Sequence, residues 1–225
     1  MKLSPDFCRA QRTGFTLPEI LIAMTVFIFL IGAVVVTQLF AVRIYYLAAT
    51  KLTATGDGRR TVSSIREQVR EAKEIYIGSY SNSSGNSGTF TQVGLDTNQI
   101  GSALLLIPTT NEAYGTIFYL DTSASNLCSV LITNIPYNAN GLVSTNTITG
   151  SVSSLYTNAP FVTNYNVFQA EDYQGNVLAN NQKNRVIHVT LQFYQLEYPK
   201  TGIGTNQMYD YYQLQTRATR RTVGE

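Results

Sequence analysis

The side chains that most often carry chemistry are few in this sequence and lie far apart. His188 is the only histidine, and the alternation around it places it on the polar face of a strand. A single histidine excludes a multi-histidine metal site, and we take it to exclude a histidine-based catalytic triad as well. The residue types therefore predict no catalytic group, and we interpret the protein as a non-enzymatic one.

Carboxylates and thiols add little to this picture. Asp121, Glu171 and Asp172 are the acidic residues considered for calcium, but no Asp-x-Asp-x-Asp-Gly run accompanies them. We predict no cofactor and keep calcium as a minor alternative. Cys128 alternates with apolar neighbours and is predicted to be a buried small hydrophobe, whereas Cys8 lies in a segment that we expect to be removed.

Glu19 is the ionisable residue whose position most needs a chemical explanation. It precedes 23 uncharged residues, Ile20 to Val42, which as a helix reach about 35 Å and can cross a hydrocarbon layer of about 30 Å. A carboxylate beside a membrane-spanning helix costs about 2.5 to 3.5 kcal/mol unless it is paired. Two compatible roles are open, since Thr16 and Glu19 fit a capping box and Glu19 can also pair with a cation on another subunit.

The apolar run is interpreted as a retained membrane anchor. It is longer than the apolar region of a secretory signal peptide, and residues 34–38 offer no A-x-A cleavage pattern. Lys2, Arg9 and Arg12 precede it, and a mostly polar segment follows it. The positive-inside tendency therefore predicts a single-pass protein with its N-terminus in the cytoplasm and its C-terminal part outside.

The motif Gly14-Phe15-Thr16-Leu17-Pro18-Glu19, between a short basic leader and an uncharged helical run, resembles the N-terminus of type IV pilins and of the pseudopilins of type II secretion. In that family a prepilin peptidase cuts after the glycine and methylates the new amino terminus. The resemblance implies cleavage between Gly14 and Phe15, N-methylation of Phe15, and a subunit-pairing role for Glu19. It also implies a bacterial inner-membrane protein whose C-terminal domain lies in the periplasm.

A looser resemblance concerns the subfamily. Residues 59–73, 184–198 and 209–217 look similar to J-type minor pseudopilins and to W-type minor pilins, and the presence of Glu19 argues against a K-type tip subunit. This resemblance implies a pilin-like fold, in which a long N-terminal helix packs on an antiparallel sheet. The implied partners are the prepilin peptidase, other minor and major pseudopilins and the inner-membrane assembly platform.

Patterning divides the chain into four segments. They are a leader at 1–14, a transmembrane and assembly helix at 15–42, an amphipathic periplasmic half of that helix at 43–77, and a β-rich globular domain at 78–225. The predicted fold class is thus α+β. Two glycines, Gly56 and Gly58, predict a bend or a short break in the helix. The apolar stripe of the amphipathic half consists of Ile44, Leu47, Ala48, Leu52, Val62, Ile65, Val69, Ala72 and Tyr76.

Short β-type runs follow a polar, glycine-rich segment, Ser79 to Thr91, which we expect to be an exposed loop. Alternation predicts that the last two runs form a hairpin with Ile187, Val189, Leu191 and Phe193 on its buried face. Asn140-Gly141 and Gly175-Asn176 are turn signals. The predicted strands are 103–107, 116–120, 127–133, 161–168, 185–198 and 209–219.

Charge and aromatic content bear on the partners. No Lys or Arg occurs between Glu74 and Gln182, whereas six acidic residues do, so we predict no nucleic-acid partner. The chain has 15 Tyr and no Trp. Sheet packing explains most of these tyrosines, and a sugar- or protein-binding surface is the alternative.

These observations lead to one functional prediction and two rivals. We expect a minor pseudopilin, a structural subunit that helps to initiate or cap the periplasmic pseudopilus of a type II secretion system. A minor type IV pilin or DNA-uptake pseudopilin is the closest rival. A membrane-anchored periplasmic binding module is the rival of another class, and such a module has no need for Glu19.

Overall fold

The structure is a computed structural model that describes residues 14–83, 87–108, 114–133, 144–145, 153–154, 161–181, 184–196 and 209–221. The leader before Gly14, the turn signal Asn140-Gly141 and the loop between the last two predicted strands lie outside the described residues. The chain divides into two compact units, Met1–Leu47 and Ala48–Glu225. One long helix followed by antiparallel sheets confirms the predicted α+β layout.

Helix α1 spans Leu17–Glu71, and twelve strands follow it in the described part of the chain. The strands are β1 (Ala72–Ser83), β2 (Ser87–Gln92), β3 (Ile100–Gly101), β4 (Ala103–Pro108), β5 (Tyr114–Asp121), β6 (Asn126–Thr133), β7 (Ser144–Thr145), β8 (Ser153–Ser154), β9 (Phe161–Val162), β10 (Phe168–Glu171), β11 (Val186–Leu196) and β12 (Tyr209–Thr219).

The first sheet has seven strands in the order β7-β2-β1-β4-β5-β6-β8, and its described pairings are antiparallel. Its central strand β4 is buried on both faces, since Ala103, Leu105 and Ile107 belong to one apolar cluster and Leu104 and Leu106 to another. A strand that is buried on both faces has a continuous apolar sequence, and the run Ala-Leu-Leu-Leu-Ile, which was predicted to be a strand, is of this kind.

The second sheet has the order β12-β11-β10-β3, with β9 also paired to β11. Strands β11 and β12 pair in an unbroken antiparallel register from Val186 with Thr219 to Leu196 with Tyr209, as predicted. The predicted inner residues Ile187, Val189, Leu191 and Phe193 are all buried. The period-two alternation of these strands therefore identified the correct face.

The main core lies where α1, the second sheet and one face of the first sheet meet. Helix α1 contributes its buried face, Ala54, Gly58, Thr61, Ile65 and Val69, whose spacing of three and four residues is helical. Ile44 and Leu52, from the first part of the predicted stripe, are 50% and 77% exposed and do not belong to this core.

The helix ends earlier than predicted. It stops at Glu71, and Ala72 to Ile77 belong to β1 instead of the expected helical segment 43–77. Ile75 and Ile77 are buried and pair with Leu106 and Leu104 of β4, so a period of two prevails over the helical spacing. Ala72 continues the helical spacing from Val69, and a register shift between Ala72 and Glu74 separates it from the period-two positions Ile75 and Ile77, which is why the sequence misplaced the boundary.

Of the expected bend or short break at the two glycines, the break is wrong, and the bend stays a prediction. Helix α1 continues without interruption through residues 55–58, and Gly58 is one of its buried positions. Packing against the sheet compensates for the low helix propensity of glycine there.

Two further assignments need correction. The segment Ser79 to Thr91 forms most of the hairpin of β1 and β2, which pair from Gly78 with Gln92 to Ser83 with Ser87. Phe90 is fully buried, and the burial of its ring stabilises β2, although the composition of this segment is typical of a loop. The predicted strand 161–168 is divided into β9 and β10, with residues 163–167 outside regular structure.

Candidate functional site

The start of α1 carries the motif residues, and Thr16 and Glu19 interact there. The backbone N–H of Thr16 donates to Glu19 Oε2 at 3.3 Å, and the Thr16 hydroxyl donates to the same oxygen at 3.2 Å. The backbone N–H of Glu19 donates in turn to the Thr16 carbonyl at 3.0 Å. The Glu19 side chain thus forms its half of a capping box by accepting from the Thr16 backbone N–H, and Pro18 occupies the first turn, where its missing N–H costs little.

Gly14 and Phe15 precede the helix and are both exposed. The Phe15 side chain is 82% exposed, and a Cβ added at Gly14 would meet no atom within 4 Å. Within the described residues, neither Gly14 nor the Phe15 side chain is buried by the rest of the chain. Their predicted roles in cleavage and N-methylation stay predictions.

An uninterrupted apolar surface follows the cap. Every residue from Gly14 to Tyr46 is exposed, and the helix is long and apolar enough to cross a membrane. A shallow groove of about 460 Å³ begins at the cap and is lined by Phe15, Glu19, Ile20, Ala23, Met24 and Phe27. Exposed apolar surface of this extent marks a contact with lipid or with another protein.

The Glu19 carboxylate lies where the helix cap meets the apolar surface. Its Oε2 is occupied by Thr16, while the carboxylate itself lies beside the apolar groove. The N-terminal end of the helix carries a partial positive charge, so a carboxylate at this position interacts favourably with the helix dipole. Glu19 therefore presents an ordered anion at the edge of an apolar surface, where a cation from another molecule would be strongly attracted.

A second polar cluster, which the sequence did not reveal, lies on the outer face of the second sheet. Glu171 of β10 is buried, and its Oε1 lies 2.6 Å from His188 Nδ1 of β11. Its Oε2 accepts from Arg217 Nε of β12 at 2.7 Å, and Gln169 Nε2 donates to Oε1 at 3.2 Å. Three adjacent strands thus converge on one carboxylate.

The contacts of His188 in this cluster correct the argument that a single histidine excludes a catalytic triad. Thr190 Oγ1 lies 3.4 Å from His188 Nε2, so hydroxyl, imidazole and carboxylate stand in the order of a nucleophile, a base and an orienting acid. One histidine is enough for such a relay, so a lone histidine could not exclude it. Because Arg217 also binds Glu171, the cluster is explained as the neutralisation of a buried carboxylate. The only sequence signal was the alternation that put His188 and Arg217 on one face.

The three carboxylates considered for calcium have separate partners. Asp121 accepts from Ser123 and Ala124 in the turn after β5, and the Ser123 hydroxyl is the main cause of the lowered pKa of Asp121. Asp172 accepts from Asn176, whose backbone N–H is the main cause of the lowered pKa of Asp172. No group of three metal-ligating side chains occurs within the described ranges. Calcium stays an untested alternative.

The predicted turn at Gly175-Asn176 is confirmed. Gly175 has a φ of +91°, a left-handed conformation that favours glycine, and Asp172 closes the turn through Asn176. The turn lies beside the Glu171 cluster, because a Cβ on residue 175 would be 3.1 Å from an Arg217 nitrogen.

Cys128 is buried in the apolar cluster that contains Ala103, Leu105 and Ile107, as predicted, and it forms no disulfide within the described residues. In the same cluster the rings of Tyr80 and Tyr119 lie 4.2 Å apart, and burial raises the pKa of Tyr80 to about 12. Burial also raises the pKa of Tyr119. These phenols stay neutral and pack as part of the core.

The comparisons with known proteins add no identification, since no protein-family model, no curated protein and no solved structure matches this chain. The α+β layout and the geometry of the helix start are therefore the structural basis for a functional proposal.

Proposed function

We propose that the protein is a non-enzymatic minor pseudopilin. In this proposal a prepilin peptidase removes residues 1–14, and the mature chain joins a periplasmic fibre of type II secretion that is assembled from the inner membrane. Its partners are other minor and major pseudopilins and the assembly platform. Its contribution is mechanical, as a subunit that helps to initiate or cap the fibre.

The observation that carries the proposal is the exposed apolar half of α1 with a charge at its start. Residues 14–46 are exposed along their whole length, although most of those from Phe15 to Val42 are apolar. A bilayer covers such a surface while a subunit is stored, and the helices of neighbouring subunits cover it in a fibre. A simple membrane anchor needs only the bilayer to cover this surface.

Glu19 favours coverage of this surface by the helices of neighbouring subunits. A pure lipid anchor gains only the helix cap from an anion at the edge of its apolar surface, whereas an unpaired charge within a membrane costs about 2.5 to 3.5 kcal/mol. The amino terminus that cleavage would create on Phe15 of a neighbouring subunit is a suitable cation. At about 4 Å and an effective dielectric of about 20 the attraction reaches about 4 kcal/mol, which exceeds that cost.

Processing is the direct test. Coexpression with a prepilin peptidase should shorten the chain by residues 1–14 and add one methyl group at Phe15, which intact-mass spectrometry resolves. A product that keeps Met1, or one that begins beyond Val36, would contradict the proposal.

Gly14→Val provides the matched control. Because a Cβ at residue 14 meets no atom within 4 Å, this variant leaves the fold of the chain unchanged. Accumulation of full-length, membrane-bound Gly14→Val would then report on recognition by the peptidase alone. Normal cleavage of the variant would show that the glycine is not part of the cleavage signal.

A further inference from the structure

A rigid irregular segment lies between β9 and β10 and holds one tyrosine outward. The Asn164 side chain takes the place of a strand residue beside β11, since its amide donates to Thr190 O at 2.6 Å and its Oδ1 accepts from Gln192 N at 2.9 Å. On either side, Thr163 N donates to Gln192 O and Thr190 N donates to Val167 O. Tyr165 projects from this hydrogen-bonded segment with 72% of its surface exposed.

A pocket opens beside Tyr165. It has a volume of about 250 Å³, and its lining includes the ring of Tyr194 together with the hydroxyl residues Thr122, Ser125 and Thr163. Ser125 adopts a φ of +53° and accepts a hydrogen bond from Val162 N at 2.9 Å. Ser125 ends the turn between β5 and β6, where a left-handed residue is common, and the hydrogen bond to its backbone carbonyl fixes this turn beside the pocket.

The aromatic surface continues beyond the pocket. The ring of Tyr194 lies 5.2 Å from that of Tyr209 and 6.0 Å from that of Tyr211, and Tyr211 is 78% exposed. Alternation in β11 and β12 puts all three on the outer face of the second sheet. Aromatic rings therefore extend from the pocket along the sheet.

The residues that line the pocket limit the class of ligand that it can bind. None of the seven lining residues carries a formal charge at neutral pH, so the pocket does not select a phosphate, a carboxylate or a metal ion. Tyrosines offer flat apolar faces with polar tips, and the hydroxyl side chains donate and accept hydrogen bonds. Neutral sugars, whose rings have an apolar face and a rim of hydroxyl groups, complement this combination.

We propose that the pocket beside Tyr165 binds a neutral oligosaccharide, with one sugar ring in the pocket and the next over Tyr194 and Tyr211. The volume is below the range of about 300 to 1,000 Å³ typical of drug-sized ligands, and it suits a single ring. Because the segment that carries Tyr165 is already ordered, binding loses little conformational entropy. This site is independent of the assembly role.

The test measures trisaccharide binding by the full chain in phosphatidylcholine nanodiscs, which contain no sugar headgroups. The neutral sugar N,N′,N″-triacetylchitotriose is the probe, saturation-transfer NMR and calorimetry are the readouts, and a glycine-serine peptide of similar mass is the competitor. We expect saturable binding with a Kd of about 1 mM or tighter. Tyr165→Ala should weaken it at least tenfold, about 1.4 kcal/mol, whereas Tyr165→Phe should keep most of it.

Tyr173→Ala is the matched control, because Tyr173 is 91% exposed and does not line the pocket. It should bind the trisaccharide as the unmodified protein does. Absence of saturable binding, equal effects of Tyr165→Ala and Tyr173→Ala, or displacement of the sugar by the peptide would each overturn the proposal. Since Tyr165 is mostly exposed, its truncation leaves the core in place, and an unchanged thermal unfolding profile verifies this.

Discussion

Gly58 of α1 and Leu214 of β12 approach each other so closely that a Cβ on residue 58 would lie 2.6 Å from Leu214 Cδ1. The ring of Phe193 is the next contact, at 3.4 Å. Glycine is therefore present at this helical position because the sheet packs directly against the helix backbone. Gly56 differs, since a Cβ there would meet nothing within 4 Å.

The two glycines should respond oppositely to alanine. Gly56→Ala gains helix propensity at an open position and should raise the unfolding free energy by about 0.5 to 1 kcal/mol. Gly58→Ala must displace Leu214 Cδ1, the end of a flexible and partly exposed side chain, so it should lose the gain in helix propensity and lower stability by up to about 1 kcal/mol. Urea unfolding of the two variants measures the difference.

A double variant tests whether the contact with Leu214 is the reason for the effect of Gly58→Ala. In a Leu214→Ala background the obstructing methyl group is absent, so Gly58→Ala should become as favourable as Gly56→Ala. An equal penalty for Gly58→Ala with and without Leu214 would show that this contact does not explain the glycine.

Glu19 has a local and an intermolecular role that substitutions can separate. Glu19→Ala should weaken the cap by about 0.5 to 2 kcal/mol and also prevent assembly, whereas Glu19→Gln keeps an oxygen acceptor for Thr16 but loses the charge. We expect both variants to be cleaved and inserted, yet to fail in crosslinking to other minor subunits. Thr16→Val weakens the cap and keeps the charge, so it should assemble. Normal incorporation of Glu19→Gln would leave capping as the only role of Glu19.

The Glu171 cluster predicts that loss of Arg217 and loss of Glu171 lower the stability by different amounts. The Glu171 side chain is 2% exposed and that of Arg217 is 61% exposed, so loss of the arginine leaves a buried anion, whereas loss of the glutamate leaves a solvated cation. Arg217→Met should therefore lower stability by up to about 3 kcal/mol, and Glu171→Gln by clearly less. The double variant should be more stable than Arg217→Met alone. Chemical denaturation of the three variants measures this order, and equal single effects would contradict it.

Tyr80 predicts a stability loss at alkaline pH. Burial raises the pKa of Tyr80 from its ordinary value of 10.0 to about 12, so the folded state holds the proton that the unfolded state loses first. The stabilisation is complete below pH 10 and disappears as the pH rises towards 12. Tyr80→Phe should shift alkaline unfolding to higher pH, whereas Tyr173→Phe, at an exposed position, should not. Phenolate absorbance and circular dichroism follow the two events.

Local patterns in the sequence were sufficient for several features. The cap requires only Thr16 and Glu19, three residues apart, and the apolar helix beyond it follows from a continuous run of suitable residues. The last hairpin was predicted with its correct face, because strict alternation over eleven residues allows one buried side only. In each case neighbouring residues contain the whole signal.

Long-range pairing decided the rest. Ala72 to Ile77 leave the helix because Leu104 and Leu106 of β4 supply strand partners, and the polar segment after them is a hairpin because Phe90 is buried. Glu171, His188 and Arg217 meet only through the order β12-β11-β10, which no local pattern encodes. The close approach of Leu214 to Gly58 likewise depends on residues more than 150 positions apart. The free energy of such contacts comes from burial between distant segments, so it exists only in the folded chain.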